Sequence, residues 1–305
     1  MSTPQTAKTQ YLPSTTHPST TYAYRLLGPA FSPTTTPLLY LNHFRSTLDK
    51  ADPLLLSLLS RSRPLIIVDY AGHGHSTGEP ATSAAASAAY IEDFLALLGV
   101  RSLFVLGFSM GGMVAQMLAL NASSVDVKKL VIAGSTASIG EKIVRAKAEQ
   151  REEVGRVAGA VVPDMETFQT LFFHRDGEGT KACAEWWERV HERTARTAGE
   201  EVGGWVSEGF WDGAKGLKAQ VQVLEKWMEV ETAKGREGSY ERLAGLRIPV
   251  LVANGGDDFM VPTINSFFTA QQISDAKLVV YPNSGHGFLF QYAEEVAAEV
   301  DRFLA

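Results

Sequence analysis

The stretch "LFVLGFSMGGMVAQML", residues 103–118, joins two patterns that ask for different backbones. Leu103, Phe104, Val105 and Leu106 form a short, continuous run of β-formers, whereas Met113, Val114, Met117 and Leu118 recur at helical spacing. Between them lies Gly107-Phe108-Ser109-Met110-Gly111-Gly112, so a strand runs straight into a helix with a serine at the turn. G-x-S-x-G is short enough to arise by chance, and its context is what gives it meaning. In so tight a turn the serine takes a strained backbone conformation. Side chains two residues to either side would strike the neighbouring chain, so Gly107 and Gly111 provide space. The strain holds the Ser109 hydroxyl out at the carboxyl end of the strand, where the first amides of the helix face any negative charge that forms.

Similar apolar, β-rich runs recur at 21–27, 37–44, 63–70, 127–135, 248–256 and 276–283. Several are continuous rather than alternating, as expected of strands covered on both faces. Helical patterns lie between them at 51–62, 82–99, 113–120, 263–273 and 293–305. The alternation predicts an α/β fold: a doubly wound, mostly parallel sheet with helices on both faces.

That alternation stops between about 137 and 245. In this segment 36 of 109 residues are charged, against 26 of the other 196, which marks a separate layer. It reads as amphipathic helices with no convincing strand, for example over 141–159 and 181–197. The expected organisation is a core of residues 1–136 and 246–305 with a helical cap of 137–245. All five tryptophans, Trp186, Trp187, Trp205, Trp211 and Trp227, fall in the cap. Either they form its small core, or some of them face a substrate cleft.

A serine hydroxyl is a poor nucleophile near neutral pH, so Ser109 needs a histidine base and an acid to orient it. His286, in "YPNSGHGF", follows the last strand in a glycine-flanked loop at the sheet edge where the serine emerges. The loop after the preceding strand, "NGGDDFMVP", offers Asp257 and Asp258, whereas the loop after "KLVIAGSTAS" offers no carboxylate.

With these residues in view, the chain resembles the α/β-hydrolase superfamily, in the branch of small serine esterases and cofactor-free haloperoxidase-like enzymes with a helical cap. Residues 107–112 match the family's G-F-S-M-G-G elbow. Gly255, Asp258 and Pro262 fit its G-x-x-D-x-x-x-P acid loop, and "DYAGHGHSTG" (69–78) resembles its D-x-x-G-x-G-x-S loop. The resemblance implies a cap inserted after the sixth strand and a triad of Ser109, Asp258 and His286. It also implies an oxyanion hole made by the amides of Phe44 and Met110. The family usually has His-Gly after the third strand; here Asn42 and His43 stand there, and His43 becomes a candidate pocket residue together with Phe108, Trp186, Trp187, Trp205 and Trp211. The implied activity is hydrolysis of a small, mostly apolar ester or lactone. Carbon-carbon bond hydrolysis, a non-hydrolytic reaction, and ligand sensing by a triad-bearing receptor are the alternatives.

Composition agrees with small-molecule chemistry. A net charge of −6 gives no basic field for nucleic acid or anionic lipid. No stretch approaches the ~18 unbroken apolar residues of a membrane span. The lone Cys183 cannot form an internal disulfide and reads as a buried apolar residue, and the polar N-terminal segment lacks an apolar signal core. The chain therefore reads as soluble and cytoplasmic, needing neither cofactor nor metal; His73 and His75 form an H-x-H without the further ligands of a metal site. His174 and His191 are read as solvated. The charged helices of the cap are read as a wet outer face, with a homodimer contact as the alternative.

Overall fold

Neighbouring residues of the central strands face opposite helical layers, which is why their sequences read as unbroken apolar runs. Leu38 and Tyr40 of one strand belong to one buried cluster, Leu39 and Leu41 to the other. Leu65 and Ile67 likewise separate from Ile66 and Val68, and Leu251 and Ala253 from Val250 and Val252. A computed structural model describes residues 3–32 and 35–305; Met1 and Ser2 of the polar N-terminal segment, and Pro33 and Thr34, lie outside the described residues.

Eight strands, β1 (Gln10–Pro13), β2 (Thr21–Leu27), β3 (Leu38–Leu41), β4 (Leu65–Val68), β5 (Ser102–Phe108), β6 (Asp126–Ala133), β7 (Val250–Gly255) and β8 (Ala276–Tyr281), form one sheet in the order β1-β2-β4-β3-β5-β6-β7-β8. Pairing is antiparallel for β1 with β2 and for β2 with β4, and parallel from β4 onward. The carboxyl ends of β3, β5, β7 and β8 therefore open on one edge. On the face of Leu38 and Tyr40 the sheet packs against α1 (Pro53–Leu59), and on the other against α2 (Ala84–Leu97) and α3 (Met110–Asn121). Between β6 and β7 come α4 (Ala148–Ala158), α5 (Met165–Phe172), α6 (Gly177–Arg189), α7 (Ala195–Ala198) and α8 (Lys215–Trp227), with no strand among the described residues of 137–245. The core resumes with α9 (Ile264–Gln272), α10 (Phe288–Gln291) and α11 (Ala293–Leu304). Among the described residues no helix is long and apolar enough to cross a membrane.

The expected helix over 141–159 forms only from Ala148. Asn265 takes the backbone of Val144 in both directions, its side chain accepting from the amide and donating to the carbonyl at 2.8 Å each, which holds that stretch out of a helix. The pattern over 181–197 breaks after Arg189, where Arg193 turns inward. The edge strand β1 carries too little apolar periodicity to be seen in the sequence.

Polar side chains fasten the inserted helices to the core. Asp49 is fully buried: Oδ1 accepts from Arg25 at 2.5 Å and from Arg193 of the insert at 2.9 Å, while Oδ2 accepts from His75 and from the Gly203 amide, both at 2.6 Å. Arg189 reaches Asp52 at 2.9 Å. Removing the Asp49 carboxylate leaves the two buried arginines with only the more exposed Glu200 as counter-charge, so Asp49→Ala is expected to lose about 3 kcal/mol, measured by urea denaturation.

Candidate active site

Ser109 follows β5 directly with φ 56° and ψ −119°, a positive-φ conformation in a residue with a Cβ. Its amide donates to Ala133 of the adjacent strand β6, and its carbonyl accepts from Gly112, both at 2.9 Å. The flanking glycines have the steric role their spacing predicts. A Cβ on Gly107 would lie 2.2 Å from the Gly111 carbonyl oxygen, and one on Gly111 would lie 2.1 Å from the Leu41 carbonyl oxygen of β3. The elbow also opens α3, whose first amides, beginning at Met110, have no acceptor within the helix.

Asp258 follows β7 and His286 follows β8. The imidazole Nδ1 donates to Asp258 Oδ2 at 2.7 Å, and neither side chain is exposed. Asp258 Oδ1 accepts from the amides of Met260 and Val261 at 2.8 Å each, so the carboxylate is held at both oxygens and cannot swivel. With the proton on Nδ1, Nε2 carries the lone pair, and it is buried with no partner among the described residues. The ring stands 5.0 Å from that of Phe108, the residue before Ser109, and 5.3 Å from that of Phe172. The histidine is thereby at the elbow, with its lone pair not engaged by the serine hydroxyl. Asp257 is separated from all of this: its side chain is 90% exposed and lies 3.8 Å from His174 at the surface.

After β3 the chain makes a turn closed by Ser46 N donating to His43 O at 3.2 Å. Arg45 occupies the left-handed position of this turn, φ 67°, where glycine would be the easy choice. Its buried guanidinium holds the turn against the insert: Nε donates to Val206 O and Nη1 to Ala158 O and Ala160 O. His43 Nδ1 donates to Phe44 O at 2.8 Å. Burial pushes the His43 imidazole down to about 3, so the ring is neutral.

Ser109, His43, Phe44 and Arg45 line a narrow cavity of about 20 Å³, closed by Phe168, Phe172 and neighbours from the insert. That is room for roughly one water molecule. Phe44, Ala158 and Met260 also line a much larger groove of about 720 Å³ between α4, α8 and the loop before α4. These three residues form the neck between groove and cavity.

The tryptophans expected at the pocket stand elsewhere. Trp186 and Trp205 are buried behind Phe168, with ring centres 4.9 and 4.5 Å from it, and Trp187 stacks partly buried beside them. Trp211 is 78% exposed, because left-handed residues from Ser207 to Ala214 turn that loop outward. Phe108 is fully buried beneath the site. Of the expected pocket residues His43 alone reaches the small cavity. The residues missed, Phe168 and Phe172, are spaced one helical turn apart on α5, a signal legible in the sequence. Arg45 and Met260 left none. His73 bonds backbone carbonyls, His191 is exposed, and His174 is half-buried. Cys183 is buried, which pushes its thiol up to about 12.

A serine elbow at the end of a central parallel strand, with a carboxylate-held histidine from the last two strand ends, defines an α/β-hydrolase architecture. A family model described as alpha/beta hydrolase fold matches residues 47–292, and the chain belongs to that family. It is 26% identical over 284 residues to a non-heme haloperoxidase of Rhodococcus erythropolis, covering 88% of this chain and 92% of that protein. It superposes on an alpha/beta hydrolase fold protein from Chitinophaga pinensis with a TM-score of 0.83 and 30% identity, covering 99% of both chains. A hydrolase from Pseudomonas aeruginosa shares the fold, at TM-score 0.66 and 23% identity over 97% of this chain and 98% of that one.

The neutral His43 has a measurable consequence. An unfolded imidazole protonates near 6.5 and the folded one only near 3, so the unfolded chain binds the extra proton in between. Stability should fall as pH drops below 6.5, and His43→Phe should make that slope shallower in urea titrations from pH 7 to 4.5.

Proposed function

We propose that the chain is a serine hydrolase acting on a small, mostly apolar ester or lactone. The observation that carries this is the Asp258–His286 pair: a fully buried carboxylate, fixed by two amides, holds the imidazole proton on Nδ1 and leaves Nε2 free beside the elbow. In the reaction, substrate enters the neck and Ser109 rotates its hydroxyl to His286 Nε2. The imidazole takes the proton as Oγ attacks the carbonyl carbon. Asp258 stabilises the imidazolium, as a fixed acceptor in a dry site does best. The amides of Met110 and Phe44 receive the oxyanion, worth about 3 kcal/mol per donor. The proton then passes from His286 to the departing alcohol, and water deprotonated by the same nitrogen releases the acyl group from Ser109.

Helices α4 to α8 serve as the cap in this account. Their aromatic lining of the cavity favours apolar acyl groups, and the narrowness of the space at Ser109 favours small ones. The buried phenyl ring of Phe108 before the serine suits ester chemistry better than carbon-carbon cleavage, for which a polar residue would be expected there.

A fluorophosphonate probe should label the wild type and leave Ser109→Ala unlabelled; equal labelling of both ends the nucleophile assignment. On p-nitrophenyl acetate, Asp258→Asn should lose kcat/KM on the order of 10⁴-fold, while Asp257→Asn stays near wild type. The reverse ranking would move the acid by one residue.

A further inference from the structure

Two residues that line the cavity at Ser109 each carry a buried polar group that has no part in that mechanism and no partner among the described residues. The first is His43 Nε2. A carbonyl oxygen only accepts, so the 2.8 Å contact of His43 Nδ1 with Phe44 O places the ring's single proton on Nδ1 and leaves a lone pair on Nε2. Phe172, Phe108 and Phe290 surround the ring at 5.0, 5.4 and 6.1 Å, so it cannot turn away to find a donor. The second is Arg45 Nη2, whose N–H groups have no acceptor although Nε and Nη1 are fully used on the insert. The fold thus leaves one acceptor and one donor unmet, each at a cost that a ligand can relieve. Thr167, the other hydroxyl lining the cavity, already donates to Asp164 at 2.8 Å.

We propose that His43 is a specificity-determining residue whose Nε2 accepts a hydrogen bond from a hydroxyl carried next to the carbonyl that Ser109 attacks, with Arg45 Nη2 donating to the same oxygen. The preferred substrates are then α-hydroxy esters or hydroxylated lactones. This deepens the ester reading above and rests on it. A hydroxyl both donates and accepts, so it satisfies the two groups together. An N–H would serve His43 alone, and a carbonyl would serve Arg45 alone. A carboxylate would meet Arg45 but set its charge against the imidazole lone pair. The size of the cavity agrees, since its free space is that of one water-sized group.

The test uses two esters with the same aryl leaving group, the hydroxyacetate and the propanoate, whose acyl parts differ only by OH in place of CH₃. After each kcat/KM is divided by the ester's own hydroxide-catalysed rate, wild type should prefer the hydroxyacetate by about 30-fold or more. In His43→Phe the preference should fall to within about threefold of unity, whatever the absolute rates. A loss of Phe44 positioning would slow both esters alike and leave the ratio unchanged, so the ratio isolates recognition. A wild-type ratio near one overturns the proposal, because the lone pair is then met by a bound water that the substrate does not replace. A ratio that survives in His43→Phe overturns it as well. The wild-type ratio stands even if His43→Phe fails to fold. Labelling of Ser109 by fluorophosphonate with a wild-type ratio near one strikes His43 only; no labelling and no turnover of either ester strikes the serine hydrolase reading and this proposal together.

Discussion

The first turn of α3 lies against the end of β3 so closely that a single methyl group at Gly111 would sit 2.1 Å from the Leu41 carbonyl oxygen. That approach sets the rest of the catalytic edge. It places Ser109 between the ends of β3 and β6, and it holds the serine backbone at φ 56° because no relaxed turn would fit the space. It also brings the amide that opens α3 next to the segment Asn42–Arg45, from which the second proposed oxyanion donor comes. A local strain of this kind costs roughly 1–3 kcal/mol and persists where the surroundings over-determine it. Here they do so through the Ser109–Ala133 hydrogen bond and through the matching close approach at Gly107, where a Cβ would lie 2.2 Å from Gly111 O.

The segment after β3 carries a second load. Arg45, Asp49 and Asp52 lie within eight residues, and each reaches into the inserted helices, Arg45 to backbone carbonyls at 158, 160 and 206, Asp49 to Arg193, and Asp52 to Arg189. The loop that supplies one wall of the cavity is therefore the loop that fixes the opposite wall. This arrangement ties the width of the neck to largely buried ion pairs and hydrogen bonds, and breaking a buried pair by removing one partner is strongly destabilising. The groove beyond the neck has no such fastening. It is lined by α4 and α8, with Arg151, Glu225 and Lys226 among its walls.

Much of this was legible before any coordinates. β5 and α3 flank a G-x-S-x-G whose steric meaning could be stated from glycine spacing, and the loops after the last two strands held one histidine and two adjacent carboxylates. Position after the strand does not separate Asp257 from Asp258; the resemblance to the family's acid loop, through Gly255 and Pro262, points to Asp258. The fold separates them by turning one side chain into the solvent and receiving the other on two amides and an imidazole. The insert was legible as a separate layer from its charge density and as helical from its amphipathic patterning, and of the two readings of its tryptophans, a small core or a substrate cleft, Trp186, Trp205 and Trp227 fit the core. Burial of a large aromatic ring says that something packs on it, and at Trp186 and Trp205 that something is Phe168 rather than a ligand.

The sequence by itself determined the layers, the elbow, and the serine, the histidine and the adjacent pair of carboxylates at the strand ends, because these depend on periodicity and on local sterics that neighbours in the chain impose on one another. Tertiary structure decided which carboxylate meets the histidine, which aromatic rings wall the cavity, and that the imidazole of residue 43 is locked as a neutral acceptor beside Ser109. The walls of the cavity depend on residues more than a hundred positions apart, such as His43 and Phe172, coming to within a few ångströms, and the carboxylate–imidazole contact joins two loops whose residues are 28 positions apart. No pattern along the chain records those approaches.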